Sequence, residues 1–421
     1  MLFILGFTGF FLDHKNWSFL YTVGFESVPA SVFQHEKRLI EAYWVNADDE
    51  SDIVVGSRRG VFQKSDGVFV KVLERECLAL KGDGEHLYAA TDDGLYRREN
   101  GQWKPYALGG HFINALAVSD NELLLSSDKK TLFLLDKQRA KVLLETGVSI
   151  PYKELVHDIS LSRFVRDLHY GRGLFEGVSS LLINDYGALF LLLLSLSGYL
   201  VYLFIKLKKY PQCSRSLIRL HANIFAIIAL VPLSILLITG IFLDHPKGLA
   251  NFMRSVKIPH AFLPPVYSSL KEDVWSVDLY QNRYRIGNRY GVYESDDLVK
   301  WSMTNKGFAY RMKRIDEKLY ISGMGAPNRI LHNGKYEVLL NTPHMFKDIN
   351  LQKGEEQFFS SMSKVALPQS KDTSLYAILL ALHDGTFFSS WWVWVNDIAA
   401  ALLFVLGVTG TIRYLKKKRL L

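Results

Sequence analysis

Cysteine is almost absent from this chain of 421 residues, which contains only Cys77 and Cys213. Cys77 lies in a segment predicted to be exported and Cys213 in one predicted to face the cytoplasm, so we do not expect a disulfide between them. The sequence has no CxxCH motif and no CxxC motif. This excludes covalently attached c-type haem and the usual cysteine sites for zinc or iron–sulfur clusters.

Catalytic patterns and a basic surface are also missing. The polar segments contain no catalytic triad and no carboxylate pair with usable spacing. The net charge of +8 is concentrated in two clusters, with five basic residues between Lys206 and Arg219 and five more between Arg413 and Arg419. Both clusters directly follow apolar runs, which is the pattern of cytoplasmic loops in membrane proteins. We therefore expect a lipid bilayer and no nucleic acid as a partner.

Long apolar runs are present, and they repeat. Residues 181–205 are apolar over a length that can cross a bilayer, which takes about 20 helical residues. A similar run returns near the C-terminus. In both copies the aspartate of an Asn-Asp pair (Asp185, Asp397) lies 13 residues before a glycine (Gly198, Gly410). The sequence therefore indicates an internal duplication within a membrane protein.

The first apolar segment is too short to cross a membrane on its own. It covers residues 1–12, and residues 7–15 (FTGFFLDHK) match residues 238–246 (ITGIFLDHP), which follow a full apolar span. We interpret the first helix as the second half of a transmembrane helix. About a dozen upstream residues, including an equivalent of His221, are then expected to be missing.

The predicted fold is an α-helical core of four transmembrane helices from an internal duplication, with all-β inserts. Basic segments after the second and fourth helices place both termini in the cytoplasm of a bacterium and both inserts in the periplasm. The predicted segments are the first helix (1–12), a β-rich insert (13–166), an interfacial segment and second helix (167–209), a loop and third helix (210–245), a second β-rich insert (246–381), and an interfacial segment, fourth helix and basic tail (382–421).

Both inserts contain repeated β-hairpin patterns. Equivalent positions recur at spacings of 34 and 37 residues in the first insert (Val61, Leu95, Leu132) and of 38 residues in the second (Val292, Ile330). A period near 40 with several strands per unit is typical of propeller blades. The two inserts together could form one propeller-like cap, or each could be a separate small β-domain.

Histidines cluster at the ends of the predicted helices. His14, His245, His169 and His383 lie at the outer face and His221 at the inner face. Two facing imidazoles can hold a b-type haem without covalent links. His221 and His245 are 24 residues apart, about 36 Å on a helix, so they do not share one haem. The alternative is that these histidines only anchor the helices at the interface.

Other polar residues near these histidines allow two interpretations each. The guanidinium groups of Arg163, Arg166 and Arg172 could bind haem propionates or lipid phosphate. The small pairs such as Thr8-Gly9 could admit a haem or only pack helices together. Asp185 and Asp397 fit helix N-caps better than a proton relay, because both are expected near the outer boundary.

Arginines in the turns of the β-inserts give a weaker signal. Arg58, Arg59 and Arg289 lie in equivalent turns and hint at an anionic ligand, but we expect solvated turn charges.

The combined helix pattern resembles one known family. The LHxG…ND…[ST]G pattern at 168–198 and 382–410, with H…TG…DH at 221–245, is similar to the PepSY-associated transmembrane family, often called iron-regulated membrane proteins. The resemblance implies a bacterial inner-membrane protein, and some members are haem-bearing reductases of iron–siderophore complexes. The family's helix-end histidines correspond to His169, His221 and His383, with a looser match at His14 and His245. We find no clear PepSY module in the inserts.

Two functional hypotheses follow. In the first, the protein holds haem b and passes electrons from a cytoplasmic or quinol donor to a periplasmic acceptor such as a ferric siderophore. In the second, it is a non-enzymatic, membrane-anchored protein that binds or senses a periplasmic small ligand. A transporter is disfavoured, because four spans with few central polar groups offer little pathway. The sequence assigns no catalytic residue, and no metal other than haem iron.

Overall fold

The structure, a computed structural model, describes residues 1–221, 224–271, 273–369 and 372–418. The chain forms two compact units, each built from separate segments. The predicted inserts, 13–166 and 246–381, are longer than the two segments of the β unit, so the ends of both inserts belong to the helical unit. The helical unit comprises Met1–His35, Asp158–Val266 and Asp372–Leu421, and the β unit comprises Glu36–His157 and Tyr267–Lys371.

Ten α-helices are found among the described residues. They are α1 Leu2–Asp13, α2 Phe19–Thr22, α3 Ala30–Glu36, α4 Leu161–His169, α5 Leu182–Lys206, α6 Pro211–His221, α7 Ile224–Asp244, α8 Pro246–Ser255, α9 Leu375–Asp384 and α10 Trp392–Lys417.

Within the described part of the chain, three helices are long and apolar enough to cross a membrane, namely α5, α7 and α10. They correspond to the predicted second, third and fourth spans. Helix α1 has 12 residues, as the short apolar N-terminus predicts. The predicted loop before the third span is itself helical (α6), and α4 and α9 lie in the regions predicted to precede the second and fourth spans.

Glycines bring the long helices close together. A Cβ atom at Gly6 of α1 would lie 3.1 Å from the backbone oxygen of Ala188 in α5. A Cβ at Gly187 of α5 would lie 3.2 Å from Cδ1 of Leu236 in α7. Small residues at such contacts allow the close backbone approach on which helix association in membranes depends.

Two short β-ladders precede the helices that carry the site. Ser160 and Ser374 each end a ladder and cap the next helix. The Ser160 hydroxyl accepts from the backbone N–H of Arg163 (3.3 Å) at the start of α4, and Ser374 accepts from Ala377 (3.2 Å) at the start of α9. Serine is a favoured N-cap. The ladders pair β1 (Gly24–Phe25) with β26 (Thr373–Ser374), and β14 (Ile159–Ser160) with β15 (Lys257–Ile258).

Among its described residues, the β unit contains five four-stranded antiparallel sheets and one two-stranded sheet, each formed by consecutive strands. The strands are β2 Ile40–Val45, β3 Ile53–Ser57, β4 Gly60–Ser65, β5 Val68–Leu73; β6 Cys77–Gly82, β7 Leu87–Thr91, β8 Gly94–Glu99, β9 Gln102–Ala107; β10 Ile113–Val118, β11 Glu122–Ser127, β12 Thr131–Asp136, β13 Lys141–Gly147; β16 Ser276–Tyr280, β17 Arg283–Gly287, β18 Gly291–Ser295, β19 Ser302–Lys306; β20 Arg311–Ile315, β21 Lys318–Ser322, β22 Arg329–His332, β23 Lys335–Val338; and β24 Asp348–Gln352, β25 Glu355–Phe359.

The five repeats predicted from the sequence lie within the five four-stranded sheets. Four of them cover the last three strands of a sheet, and the one at 282–301 covers β17 and β18. The Asp66-Gly67 and Asn100-Gly101 pairs have positive φ angles, as two-residue hairpin turns require. The sequence analysis missed the first strand of each sheet, strand β19 and the whole sheet β24–β25.

The first strands of the six sheets contact one another in a closed order. Strand β2 contacts β6, β6 contacts β10, β10 contacts β16, β16 contacts β20, β20 contacts β24, and β24 returns to β2. Apolar residues fill the spaces between neighbouring sheets; for example Val54, Val61, Leu80 and Ala89 belong to one buried cluster. Strands from both segments of the β unit therefore share one ring of contacts.

Both cysteines are free, as predicted. Cys77 is buried in β6 and Cys213 is exposed in α6. Burial raises the pKa of the Cys77 thiol, so this residue behaves as a packed apolar side chain.

Candidate functional site

Two histidines from the two halves of the duplication come together in the helical unit. His169 is the last residue of α4, and its Nδ1 lies 3.0 Å from the hydroxyl of Thr239 in α7. His383 lies near the end of α9, and its Nδ1 lies 2.8 Å from the hydroxyl of Thr8 in α1. The two His–Thr pairs are equivalent under the internal repeat.

The threonines determine which ring nitrogen of each histidine carries the proton. Thr8 donates its hydroxyl proton to the backbone oxygen of Ile4 (2.7 Å), and Thr239 donates to that of Ile235 (2.6 Å). In this arrangement each hydroxyl oxygen accepts a hydrogen bond from the N–H at histidine Nδ1. A neutral imidazole protonated at Nδ1 leaves a lone pair on Nε2, the form that binds metals.

The two imidazole rings lie close to each other. Their ring centres are 6.4 Å apart and their planes are inclined by 56°. His169 and His383 are therefore the residues that could hold a haem iron between them.

Glycines lie beside both rings. A Cβ at Gly9 would be 3.5 Å from Cε1 of His383, and a Cβ at Gly240 would be 3.7 Å from Cε1 of His169. In α1 and α7 the threonine of each Thr-Gly pair therefore lies at hydrogen-bond distance from a histidine, and the glycine leaves room for the histidine ring. In the Ser-Gly and Thr-Gly pairs of α5 and α10, Ser197 and Thr409 likewise donate to carbonyls of their own helices.

Two asparagines support the histidines from the following helices. Asn184 of α5 donates to the backbone oxygen of His169 (2.9 Å), and Asn396 of α10 donates to that of His383 (3.1 Å). Asn184 also donates to the carboxylate of Asp13 (2.9 Å). The sequence analysis noted the Asn-Asp pairs but missed this role, although their identical placement in both repeats was the signal.

The prediction that Asp185 and Asp397 are helix N-caps was wrong. Helix α5 begins at Leu182 and α10 at Trp392, so both aspartates lie inside their helices. A side chain in that position projects from the helix and can meet a neighbour.

Each aspartate instead lies beside one of the other predicted haem ligands. Asp397 Oδ2 is 2.6 Å from Nε2 of His245. Asp185 Oδ2 is 3.6 Å from Nε2 of His14, whose Nδ1 bonds to the backbone oxygen of Phe10 (2.8 Å). His14 and His245 thus form a second duplicated pair, in which carboxylates face Nε2.

The remaining predicted site residues have different surroundings. His221 is the last residue of α6, and its side chain lies outside the described residues. Burial and neighbouring Arg163 lower the pKa of Arg166. Arg172 lies over the ring of Tyr170, with its Cζ 5.1 Å from the ring centre.

The facing histidines are electrically neutral at physiological pH. Burial, and next the neighbouring His383, lower the pKa of His169 to about 3. Burial likewise lowers the pKa of His383. In the ranges that the structure describes, no group of three or more His, Cys, Asp or Glu side chains could hold a bare metal ion. Two neutral imidazoles could hold a b-type haem, which would supply one-electron transfer.

The arginines of the β-insert turns are not solvated, contrary to expectation. Arg289 is buried and its Nη2 lies 3.0 Å from Asp273. Arg58 Nη1 lies 2.8 Å from Glu76. These charges are paired within the β unit, which removes them as candidates for binding an external anion.

The family follows from the sequence match. Residues 81–417 match the family described as PepSY-associated TM region. The chain belongs to this family. The resemblance inferred from the helix-end motifs is therefore confirmed, and this PepSY-associated TM protein is a membrane protein. No curated protein matches the chain.

Solved structures show only weak similarity to this PepSY-associated TM protein. The extracellular domain of a hybrid two-component system from B. thetaiotaomicron is 10% identical, with a TM-score of 0.36, 76% of this chain covered and 30% of that one. The WD40 domain of Toxoplasma gondii coronin is 8% identical, with a TM-score of 0.34 and coverage of 74% and 61%. The chain thus spans less than two thirds of either protein. Similarities at this level carry no argument about fold or function.

Proposed function

We propose that this protein is a b-type haem protein of the bacterial inner membrane that transfers electrons to a periplasmic acceptor, with ferric-siderophore reduction in iron uptake as the reaction. The observation that carries the proposal is the pair formed by His169 and His383. Burial lowers the pKa of both imidazoles, each Nδ1 lies at hydrogen-bond distance from a threonine hydroxyl, and the ring centres are 6.4 Å apart.

The chain's own residues would prepare this site before haem binds. Thr8 and Thr239 would accept hydrogen bonds from the histidine Nδ1 atoms, while Asn184 and Asn396 donate hydrogen bonds to the backbone oxygens of the two histidines. Such outer hydrogen bonds set ligand orientation and basicity. Haem bound between the histidines would supply one-electron transfer.

Arginines are the proposed partners of the haem propionates. Arg166 and Arg172 lie within three residues of His169 in the chain, and guanidinium groups form strong bidentate bonds with carboxylates. His221 would serve a second, inner haem. We assign His14 and His245 a lower rank as ligands, because carboxylates already face their Nε2 atoms.

The proposed architecture has a four-helix core in which α1 joins α5, α7 and α10. The six sheets of the β unit would be the blades of one propeller, a proposal supported by the closed order of contacts among their first strands. The basic segments at 206–219 and 413–419 support cytoplasmic termini and a periplasmic β unit. The electron donor would then be cytoplasmic or a quinol.

A second candidate function is ligand binding or sensing by the β unit, without electron transfer. The cavity described in the next subsection favours it, because that cavity has a basic group suited to an anion. In this case the helices anchor the β unit in the membrane and carry no haem.

A reduced-minus-oxidised visible spectrum of the purified full-length protein tests the first function. We expect a b-type haem band that is lost or strongly reduced in His169→Ala and in His383→Ala. His332→Ala is the matched control, since His332 lies exposed on β22 of the β unit. Absence of any haem band would reject electron transfer and leave the ligand-binding function. A band of full strength in both variants would show that other histidines bind the haem.

A further inference from the structure

A cavity of about 240 Å³ lies within the β unit, where the first strands of all six sheets converge. Its volume corresponds to about eight water molecules, at ~30 Å³ each. The walls are partly apolar, with Trp44, Val277 and Ile349 among them, and three basic and two acidic side chains also line it. The charged residues are Lys81, Lys313, Arg314, Asp278 and Asp316.

Most of these charges are already paired. Nζ of Lys313 lies 2.8 Å from the carboxylate of Asp348. Arg314 donates from Nε to Asp278 (2.9 Å), and Asp278 also accepts from Arg285 (3.0 Å). These groups therefore have little reason to attract a ligand.

Lys81 is the exception. Its Nζ lies 3.4 Å from the backbone oxygen of Met312, a weak hydrogen bond, and no carboxylate among the described residues lies within ion-pair distance of it. Burial, and next the positive charge of Lys313, lower the pKa of Lys81 to about 7. Lys81 is half-buried at the cavity wall, and the carboxylates of Asp348 and Asp278 act on it from beyond ion-pair distance. Its amine is therefore placed to pair with an anion that enters the cavity.

We propose that this cavity binds a small organic anion, a monocarboxylate with an apolar body, whose carboxylate pairs with Lys81. The apolar walls would contact the body of the ligand. The two lining aspartates disfavour ions with several negative charges. This site does not depend on haem binding. The proposal rests on the second candidate function and names the ligand class that the β unit would bind or sense.

Fluorescence titration of the full-length protein tests the proposal, because Trp44 lines the cavity. The probes are benzoate and its neutral analogue benzamide. We expect benzoate to bind and benzamide to bind at least tenfold more weakly. Lys81→Met should weaken benzoate binding at least tenfold, and Lys81→Arg should retain most of it. Lys335→Met, at an exposed position of β23, is the matched control and should bind benzoate normally.

Thermal unfolding of the same variants distinguishes a binding lysine from a structural one. If the amine serves only to bind a ligand, Lys81→Met should preserve or raise the midpoint of unfolding, whereas loss of a structural lysine would lower it. If Lys81→Met is poorly folded, Lys81→Gln replaces it. The proposal is overturned if benzoate does not bind at millimolar concentration, if Lys81→Met binds it as tightly as the original protein, or if phosphate or citrate binds better than benzoate. The haem band of Lys81→Met should be unchanged, which separates this test from that of electron transfer.

Discussion

At the scale of single residues, the threonine hydroxyls at the helical site fix the orientation of the histidine rings. Thr8 and Thr239 donate their hydroxyl hydrogens to backbone oxygens of their own helices, so they can only accept hydrogen bonds from the histidines. The amide groups of Asn184 and Asn396 then fix the histidine backbone. Each histidine is thus held at the Nδ1 atom of its ring and at its backbone carbonyl, which leaves Nε2 for a ligand bond.

Thr8→Val and Thr239→Val test this task. Valine has nearly the same shape but cannot accept a hydrogen bond from Nδ1, so the histidine ring is no longer held in its orientation. We expect haem affinity to fall roughly ten- to a hundredfold in each variant, measured by haem titration of the apo-protein. Thr→Ser at the same positions retains the hydroxyl and should rescue binding. Equal affinity in Val and Ser variants would contradict the assigned role.

The depressed pKa of His169 predicts a pH dependence of stability. Unfolded histidine takes up a proton near pH 6.5, whereas folded His169 remains neutral down to about pH 3. The unfolded state binds more protons in this window, so stability should fall as the pH is lowered from about 6.5 towards 3.

The measurement is the thermal unfolding midpoint in detergent between pH 7 and pH 4. The double variant His169→Gln/His383→Gln removes both buried imidazoles and should show a smaller fall than the original protein. His332→Gln should not change the slope. A double variant that loses stability as steeply as the original protein would assign the acid sensitivity to other groups.

At the scale of helices, the contact of α1 with α5 depends on Gly6. A Cβ there would lie 3.1 Å from the Ala188 oxygen and 3.3 Å from Leu192 Cγ. We expect Gly6→Leu to lower the free energy of unfolding by about 1–3 kcal/mol, the usual cost of overpacking, and to reduce haem content through displacement of Thr8.

Gly410→Leu is the control for this substitution, since no atom lies within 4 Å of a Cβ at Gly410. Both substitutions improve helix propensity by a similar amount, so their difference isolates the packing contact. Thermal unfolding and the haem band of the two variants give the comparison. Similar stability for both would mean that α1 does not need close contact with α5.

The boundaries of the helices show where sequence reasoning was insufficient. Hydropathy predicted α5, α7 and α10 well, because a bilayer requires a minimum apolar length. The apolar run already began at residue 181, but the N-cap interpretation placed the start of the helix at the Asn-Asp pair. An aspartate is a good cap in general, but here the side chains of Asp185 and Asp397 have partners across the helices, which local sequence does not reveal.

At the scale of the whole β unit, the two-stranded sheet β24–β25 completes the ring of contacts. Asn350 of β24 donates to the backbone oxygen of Tyr43 (2.7 Å) and accepts from the N–H of Val45 (3.2 Å), both in β2. This amide joins strands that are separated by some 300 residues of sequence.

Asn350→Leu should therefore destabilise the β unit. It leaves two buried backbone groups of β2 without partners, at about 1–3 kcal/mol each. Gln357→Leu, on the exposed side of the neighbouring strand β25, is the matched control. Thermal unfolding or limited proteolysis of the full-length proteins measures the difference. Equal stability of the two variants would show that Asn350 is not needed for the contact between β24 and β2.

The sequence by itself determined the membrane class, the duplication, three of the long helices, the repeated hairpins and the family. These depend on periodicity, apolar length and turn residues, which act over short stretches of chain. It also indicated His169 and His383 as candidates, because their positions repeat. Only the tertiary structure brought these histidines face to face, gave Asn184 and Asn396 their hydrogen bonds, and left Lys81 at a cavity wall. Those features depend on contacts between distant segments, where burial and the nearest charged neighbour decide what a side chain can do.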